Sequence, residues 1–201
     1  MKKGLSLILA ACLLGSSVCG CGDDGGTDSK STGGTGTEAV QQDESYKVKS
    51  KISTANSAAS ATQKAVESTL TELDEKGVKL EYRGWIKFRK GAISADTELR
   101  KDNASELLHT GITNYLDKFD DLDGAFYIDR GSCVAVVATM DGEFVGSYPS
   151  GYTRATDYLG GGELGGCDIS EQLGKVVQRF VDDPPTGSWG TVDGNDQPTS
   201  W

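Results

Sequence analysis

The sequence predicts an α+β fold: a long N-terminal helix packed on a small antiparallel β-meander, with two further short helices. Three observations carry this expectation. Apolar or small residues recur at helical spacing through Val48, Ile52, Ala55, Ala59, Val66, Leu70 and Leu73. Three short apolar runs follow, at 125–130, 133–139 and 143–149, separated by turn residues. Two later stretches, opening at Asp102 and Asp168, return to the helical period.

The first segment, 1–20, reads as a targeting signal. Lys2 and Lys3 make a positive start, and Gly4 to Val18 is apolar but short of the roughly 20 residues that span a bilayer. Val18-Cys19-Gly20-Cys21, followed by a polar tail, resembles the lipobox of bacterial lipoproteins. That resemblance implies cleavage before Cys21, a diacylglyceryl (palmitate-class) thioether on its sulfur, and residence on the extracytoplasmic face of the cell membrane. Cys12 and Cys19 are the alternative acceptors. Residues 21–44 are rich in Gly, Ser, Thr and Asp, and too poor in apolar residues to fold. As a flexible tether they would reach about 25–29 Å. One domain is expected over 45–184, and a Gly/Asp/Ser-rich tail with Trp189 and Trp201 over 185–201.

The first helix is expected from Ser45 to Gly77, about 45 Å long, with Gly77 as a left-handed cap. Thr62 interrupts its apolar row. Its alanine-rich middle suits close packing on a sheet.

Val78 to Arg89 alternates as a half-buried strand, with Val78, Leu80, Tyr82, Ile86 and Phe88 inward and Gly84 a candidate bulge. The other face carries Lys79, Glu81, Arg83, Trp85, Lys87 and Arg89, a basic stripe with a tryptophan on an otherwise acidic chain. It reads either as a solvated strand face protecting a sheet edge or as a docking face for an acidic partner or glycan.

Asp102 to Phe119 is the second helix, with Asn103 and Glu106 spaced as a capping box and Leu108, Ile112, Tyr115, Leu116 and Phe119 buried. The one histidine, His109, lies on it without a second ligand, so no metal site is expected. The run Phe119 to Gly124 fails as a calcium loop, because Phe119 and Arg130 stand where acidic ligands are required. In the meander, Asp141-Gly142 signals a type I′ hairpin and Val134 to Ala138 the buried central strand. Gly160 to Gly166 lacks the ending of a phosphate loop and reads as a flexible connection. The third helix runs from Asp168, its cap, with Glu171 completing the box, to about Asp182; Leu173, Val176, Val177, Phe180 and Val181 form its buried face.

Three of the five cysteines, Cys12, Cys19 and Cys21, lie in the signal region up to the cleavage site; Cys133 and Cys167 belong to the domain. Outside the cytoplasm the simplest reading of such a pair is a disulfide, with two free thiols as the alternative.

The composition excludes more than it assigns. The formal charge of −10, falling to −12 once Lys2 and Lys3 leave with the signal, argues against nucleic acid and against electrostatic adhesion to anionic lipid. With one histidine, no nucleophile–base constellation is marked, so no enzyme activity and no cofactor are expected.

The wording Thr54-Ala55-Asn56-Ser57-Ala58-Ala59-Ser60, then Lys64-Ala65-Val66 and Leu70-Thr71-Glu72-Leu73-Asp74-Glu75-Lys76-Gly77, resembles the first helix of type IV pilin-like (pseudopilin-like) domains of clostridia-type bacteria. Phe144 to Pro149 resembles their last strand. The leader departs from a prepilin's, since Leu9 stands at the fifth position after Gly4, where such leaders carry Glu. The resemblance therefore concerns the head. It implies a structural or accessory component, or a surface binding module, whose partners are the membrane through its lipid, pilin-like subunits or another protein. The helix face near Lys47 to Thr54 is where subunits would dock. An unrelated lipid-anchored ligand- or wall-binding module is the alternative.

Overall fold

A computed structural model describes residues 35–94 and 103–185, with the side chains of the first helix from residue 42 onward. The leader with Cys12 and Cys19, the linker from Cys21 to residue 34, Asp102, and the tail with Trp189 and Trp201 lie outside the described residues.

Helix α1 (Thr35–Glu75) has 41 residues, about 60 Å. It begins ten residues before the expected start at Ser45, within the segment read as tether. After Gly36 that segment has neither Gly nor Pro and is dominated by helix formers, and Asp43 pairs with Lys47 one turn on at 2.7 Å. Gly77, at φ 79°, supplies the expected cap, with Val78 N–H donating to Leu73 O at 2.8 Å.

Five strands form one antiparallel sheet in the order β2-β1-β3-β4-β5: β1 (Arg83–Arg89), β2 (Ala92–Ile93), β3 (Asp123–Asp129), β4 (Ser132–Thr139) and β5 (Gly146–Tyr148). Helix α2 (Ala104–Tyr115) precedes β3, and α3 (Ile169–Asp182) follows β5. The expected α+β class, a long N-terminal helix on an antiparallel meander, is what the structure has.

Helices α1 and α2 cover one face of the sheet. Val66, Leu70, Leu108 and Ile112 meet Ile86, Phe88, Phe126 and Val136 there. Thr62 does not break this face: fully buried, it returns its hydroxyl proton to Ala58 O at 2.9 Å. The small residues of α1 do allow close approach. A Cβ on Gly146 of β5 would stand 2.2 Å from Ala55 O, so α1 and β5 touch backbone to backbone. A polar row on α1 then ties into the sheet. Asn56 Oδ1 accepts from Ser147 N at 2.8 Å, Gln63 Nε2 donates to Cys133 O at 3.1 Å, and Glu67 Oε1 accepts from Cys133 N at 2.9 Å.

The opposite face is covered as well, by α3 and the chain before it. Trp85, Tyr127, Val137, Val145 and Leu164 form a second core with Leu173, Val176, Val177 and Phe180. This layer overturns the reading of the outer β1 face as solvated.

Several local expectations are also corrected. Type I′ geometry, with both central residues at positive φ, occurs at Lys90-Gly91 (47° and 71°) and Arg130-Gly131 (48° and 84°). These two-residue turns join β1 to β2 and β3 to β4. The Asp141-Gly142 segment instead makes a longer connection: Asp141 Oδ1 accepts from Glu143 N at 3.0 Å and Phe144 N at 3.2 Å, which holds 143–145 out of the strand. Asn103 sits in the left-handed region with no side-chain cap, so α2 lacks its capping box. Asp168 does cap α3, accepting from Glu171 N at 2.9 Å. Gly84 is not a bulge, since β1 pairs with β3 in unbroken register; its φ of 143° is one that glycine adopts readily, and the Tyr82 ring packs against it. The bulge lies in β4, where Tyr127 pairs with Ala135 but Ile128 with Cys133.

Candidate functional site

That bulge decides the fate of the two domain cysteines. In a regular strand, Cys133 would share a face with Ala135 and Val137, the α3 side. The extra residue, Val134, re-phases the strand and turns Cys133 into the α1 core with Val136 and Ala138. Cys167 precedes α3 on the far side of the sheet. Both thiols are free, and the expected disulfide is not formed. Burial, and then the Glu67 carboxylate, push the Cys133 thiol well above its ordinary pKa.

Cys167 stands in a polar cluster built on the start of α3. Its thiol donates to Glu163 O at 3.3 Å, and its Sγ lies 3.1 Å from Lys175 Nζ. Lys175 in turn pairs with Glu171 at 2.9 Å and donates to Glu163 O at 3.1 Å. One turn further, Arg179 donates to Tyr152 O at 2.6 Å and Asp157 Oδ2 at 2.7 Å, and reaches Glu163 Oε2 at 2.6 Å. Tyr158 closes the cluster: its hydroxyl accepts from Val145 N at 2.8 Å and donates to Gln172 Oε1 at 3.1 Å. Burial is the main cause that pushes the Tyr158 pKa up to about 12.

The glycine-rich segment is thereby ordered. Leu164 is fully buried, and Leu164 N–H and Gly165 N–H both donate to Asp157 O. The expected flexible connection is a compact turn, because the Asp157 carbonyl accepts two of its N–H groups, Lys175 donates to the Glu163 carbonyl and the Arg179 guanidinium to the Glu163 carboxylate.

The basic stripe does not survive as one surface. Lys79 is exposed in the chain before β1, and Arg89 is exposed at the far end of the strand. Arg83 faces Asp129 across the ladder, Nε to Oδ1 at 3.6 Å. Trp85, expected to lie among them in solvent, is 5% exposed, with its ring edge-on to Tyr127 at 5.5 Å and Phe180 at 5.7 Å. Lys87 is half-buried, and that burial lowers its pKa. The apolar row of α3 was visible in the sequence; its seat on Trp85 was not, because a tryptophan flanked by basic residues reads as surface.

His109 is half-exposed and its Nε2 lies 3.0 Å from Asp120 Oδ1, linking α2 to the turn before β3. Asp123 Oδ1 accepts from Lys90 N at 2.7 Å, so two of the acidic residues in that turn are engaged in structural bonds. Among the described residues no group of three His, Cys, Asp or Glu side chains is placed to hold a metal ion. Among them, too, no helix is long and apolar enough to cross a membrane.

The first described turns of α1 form the other open surface. Tyr46 is 74% exposed, and Asp43, Glu44, Lys47, Lys49 and Ser50 are exposed around it. Ile52, placed in sequence on the expected docking face, is buried at 6% and belongs to the core. No protein-family model, curated protein or solved structure matches the chain.

Proposed function

We propose that the protein is a lipid-anchored extracytoplasmic lipoprotein whose folded part is a pilin-like head, acting as a structural or accessory component or a surface binding module. The observation that carries this reading is the shape of α1. Its C-terminal half lies across an antiparallel meander, while residues 42–51 continue beyond it, largely exposed. A helix that is half core and half exposed supports a head held away from its anchor. The lipobox-like Val18-Cys19-Gly20-Cys21 supports the anchor.

The test is fractionation of cells expressing the full chain, with the intact mass of the extracted protein. A membrane-bound, diacyl-modified chain starting at Cys21, released to the soluble fraction by Cys21→Ala, is the expected result. A chain starting at Leu5 would replace this reading with that of a filament-forming pilin.

The layer of α3 over the other sheet face favours a second reading, an unrelated lipid-anchored ligand- or wall-binding module. Cross-linking on intact cells separates the two: a pilin-like component is captured with copies of itself or with pilin-like subunits, and a binding module with its ligand alone.

A further inference from the structure

Among the described residues, three buried side-chain polar atoms have no hydrogen-bond partner: Trp85 Nε1, Ser147 Oγ and Thr153 Oγ1. All three belong to the α3 layer. Trp85 is part of the second core, and Ser147 pairs across the ladder with Val137 of that core. Thr153 follows Tyr152, whose ring stacks on Phe180 at 3.6 Å. The α1 face differs. There the buried hydroxyls of Thr62 and Thr69 each donate to the carbonyl one turn back, and Asn56, Gln63 and Glu67 bond the helix to the sheet. A stranded polar group costs free energy while it stays buried, and exposure to water removes that cost.

The chain order sets the same layer apart. All five strands, α1 and α2 precede α3, so lifting residues 152–183 breaks no strand pairing. Arg179 bonds to Tyr152 O, Asp157 and Glu163; Gln172 bonds to Tyr158 and Cys167 O; Lys175 bonds to Glu163 O. These bonds lie inside 152–183 and travel with it. Tyr158 reaches out of the segment, its hydroxyl accepting from Val145 N at 2.8 Å. Against the sheet the segment sets apolar side chains, with Phe180 edge-on to Trp85 at 5.7 Å. Gly151 stands between β5 and the segment at φ 114°, with nothing within 4 Å of a Cβ, so its dihedrals can change without a clash.

We infer that residues 152–183 form a lid that opens from the sheet as one unit, hinged at Gly151, while the α1 face stays closed. Opening uncovers the sheet face that carries Trp85, Tyr127 and Val137, and brings Trp85 Nε1, Ser147 Oγ and Thr153 Oγ1 to water. The second core and the Tyr158–Val145 bond hold the lid shut, and the three stranded groups lower the cost of opening it.

The test is hydrogen exchange with mass spectrometry on the full-length protein, read at peptides from α3 and from residues 52–75 of α1. The α3 amides should exchange about tenfold faster than those of the α1 core. Ser147→Ala and Thr153→Val each remove a stranded hydroxyl and nearly keep the shape, so each should slow α3 exchange about fivefold. Glu67→Ala weakens the α1 face, which the open lid leaves intact. It should speed α1 exchange and leave α3 exchange as it was. Exchange of α3 in step with α1 in the wild type, or α3 following α1 in Glu67→Ala, would overturn the inference. So would Ser147→Ala and Thr153→Val that leave α3 exchange unchanged or speed it.

Discussion

The Glu67 carboxylate accepts the backbone N–H of Cys133 at 2.9 Å, at the point where β4 bulges. Four residues earlier on α1, Gln63 donates to the carbonyl of the same residue. The helix thus partners both the N–H and the carbonyl of Cys133 from side chains. Glu67→Ala should destabilise the domain by about 1–3 kcal/mol, because it strands a buried donor. Denaturant unfolding measures it.

Glu67 also sets a pH dependence. Partial burial raises its pKa, and the Cys133 N–H only partly opposes this. A carboxyl with a raised folded pKa contributes its full stability below the ordinary value and loses it as pH rises through the folded value. Glu67→Gln keeps an acceptor without the charge. Its stability relative to wild type should therefore climb as pH rises above the ordinary carboxyl value of 4.5. A difference that stays flat across that range would count against the raised pKa.

Tyr158 acts at the other end of the scale. Its pKa of about 12 lies above the ordinary value of 10.0, so its contribution is present below the ordinary value and lost as pH rises toward the folded one. Spectrophotometric titration should find tyrosine ionising above the ordinary range, with Tyr158 contributing to that late part. Tyr158→Phe should reduce its amplitude and cost about 1–3 kcal/mol by leaving Val145 N–H without its acceptor.

Gly146→Ala should be among the most damaging small substitutions. The added methyl would stand 2.0 Å from the Ala55 carbonyl carbon, and neither backbone can yield cheaply. A loss of about 3 kcal/mol is expected. Gly131→Ala is the control, since nothing lies within 4 Å of its Cβ. Only the left-handed backbone is strained there, at about 1 kcal/mol. Thermal melts of the two variants give the comparison.

Trp85→Ala should cost about 3–5 kcal/mol, as expected for an aromatic in a closed core. Lys79→Ala and Arg89→Ala, at exposed positions of the same segment, should each change stability by less than about 0.5 kcal/mol. Equal small effects at all three positions would restore the basic stripe as a surface.

Much of the architecture was legible because it rests on periodicity. The apolar row of α1, the meander and the apolar face of α3 are each local patterns, and burial demands them wherever the elements finally pack. Leu108, Ile112 and Phe119 were legible as core for the same reason, whereas Tyr115 lies 48% exposed and gives its hydroxyl proton to Glu72 instead. The start of α1 was missed because the Gly-rich composition before it was carried too far, although its helix formers begin directly after Gly36. The cluster at Cys167 left only its elements in the sequence, a cysteine before a capped helix and a lysine two turns on.

The amino-acid sequence by itself determined the α+β class, the long first helix, the cap and apolar face of the last one, and the acidic balance, because each depends on neighbours along the chain. Only the tertiary structure decided which face each strand residue takes. One extra residue in β4 turned Cys133 away from Cys167, and the α3 layer put Trp85, which the sequence set on an outer face, into the core. Strand alternation is a relation between partners, and a single register shift, invisible in either strand alone, reverses it.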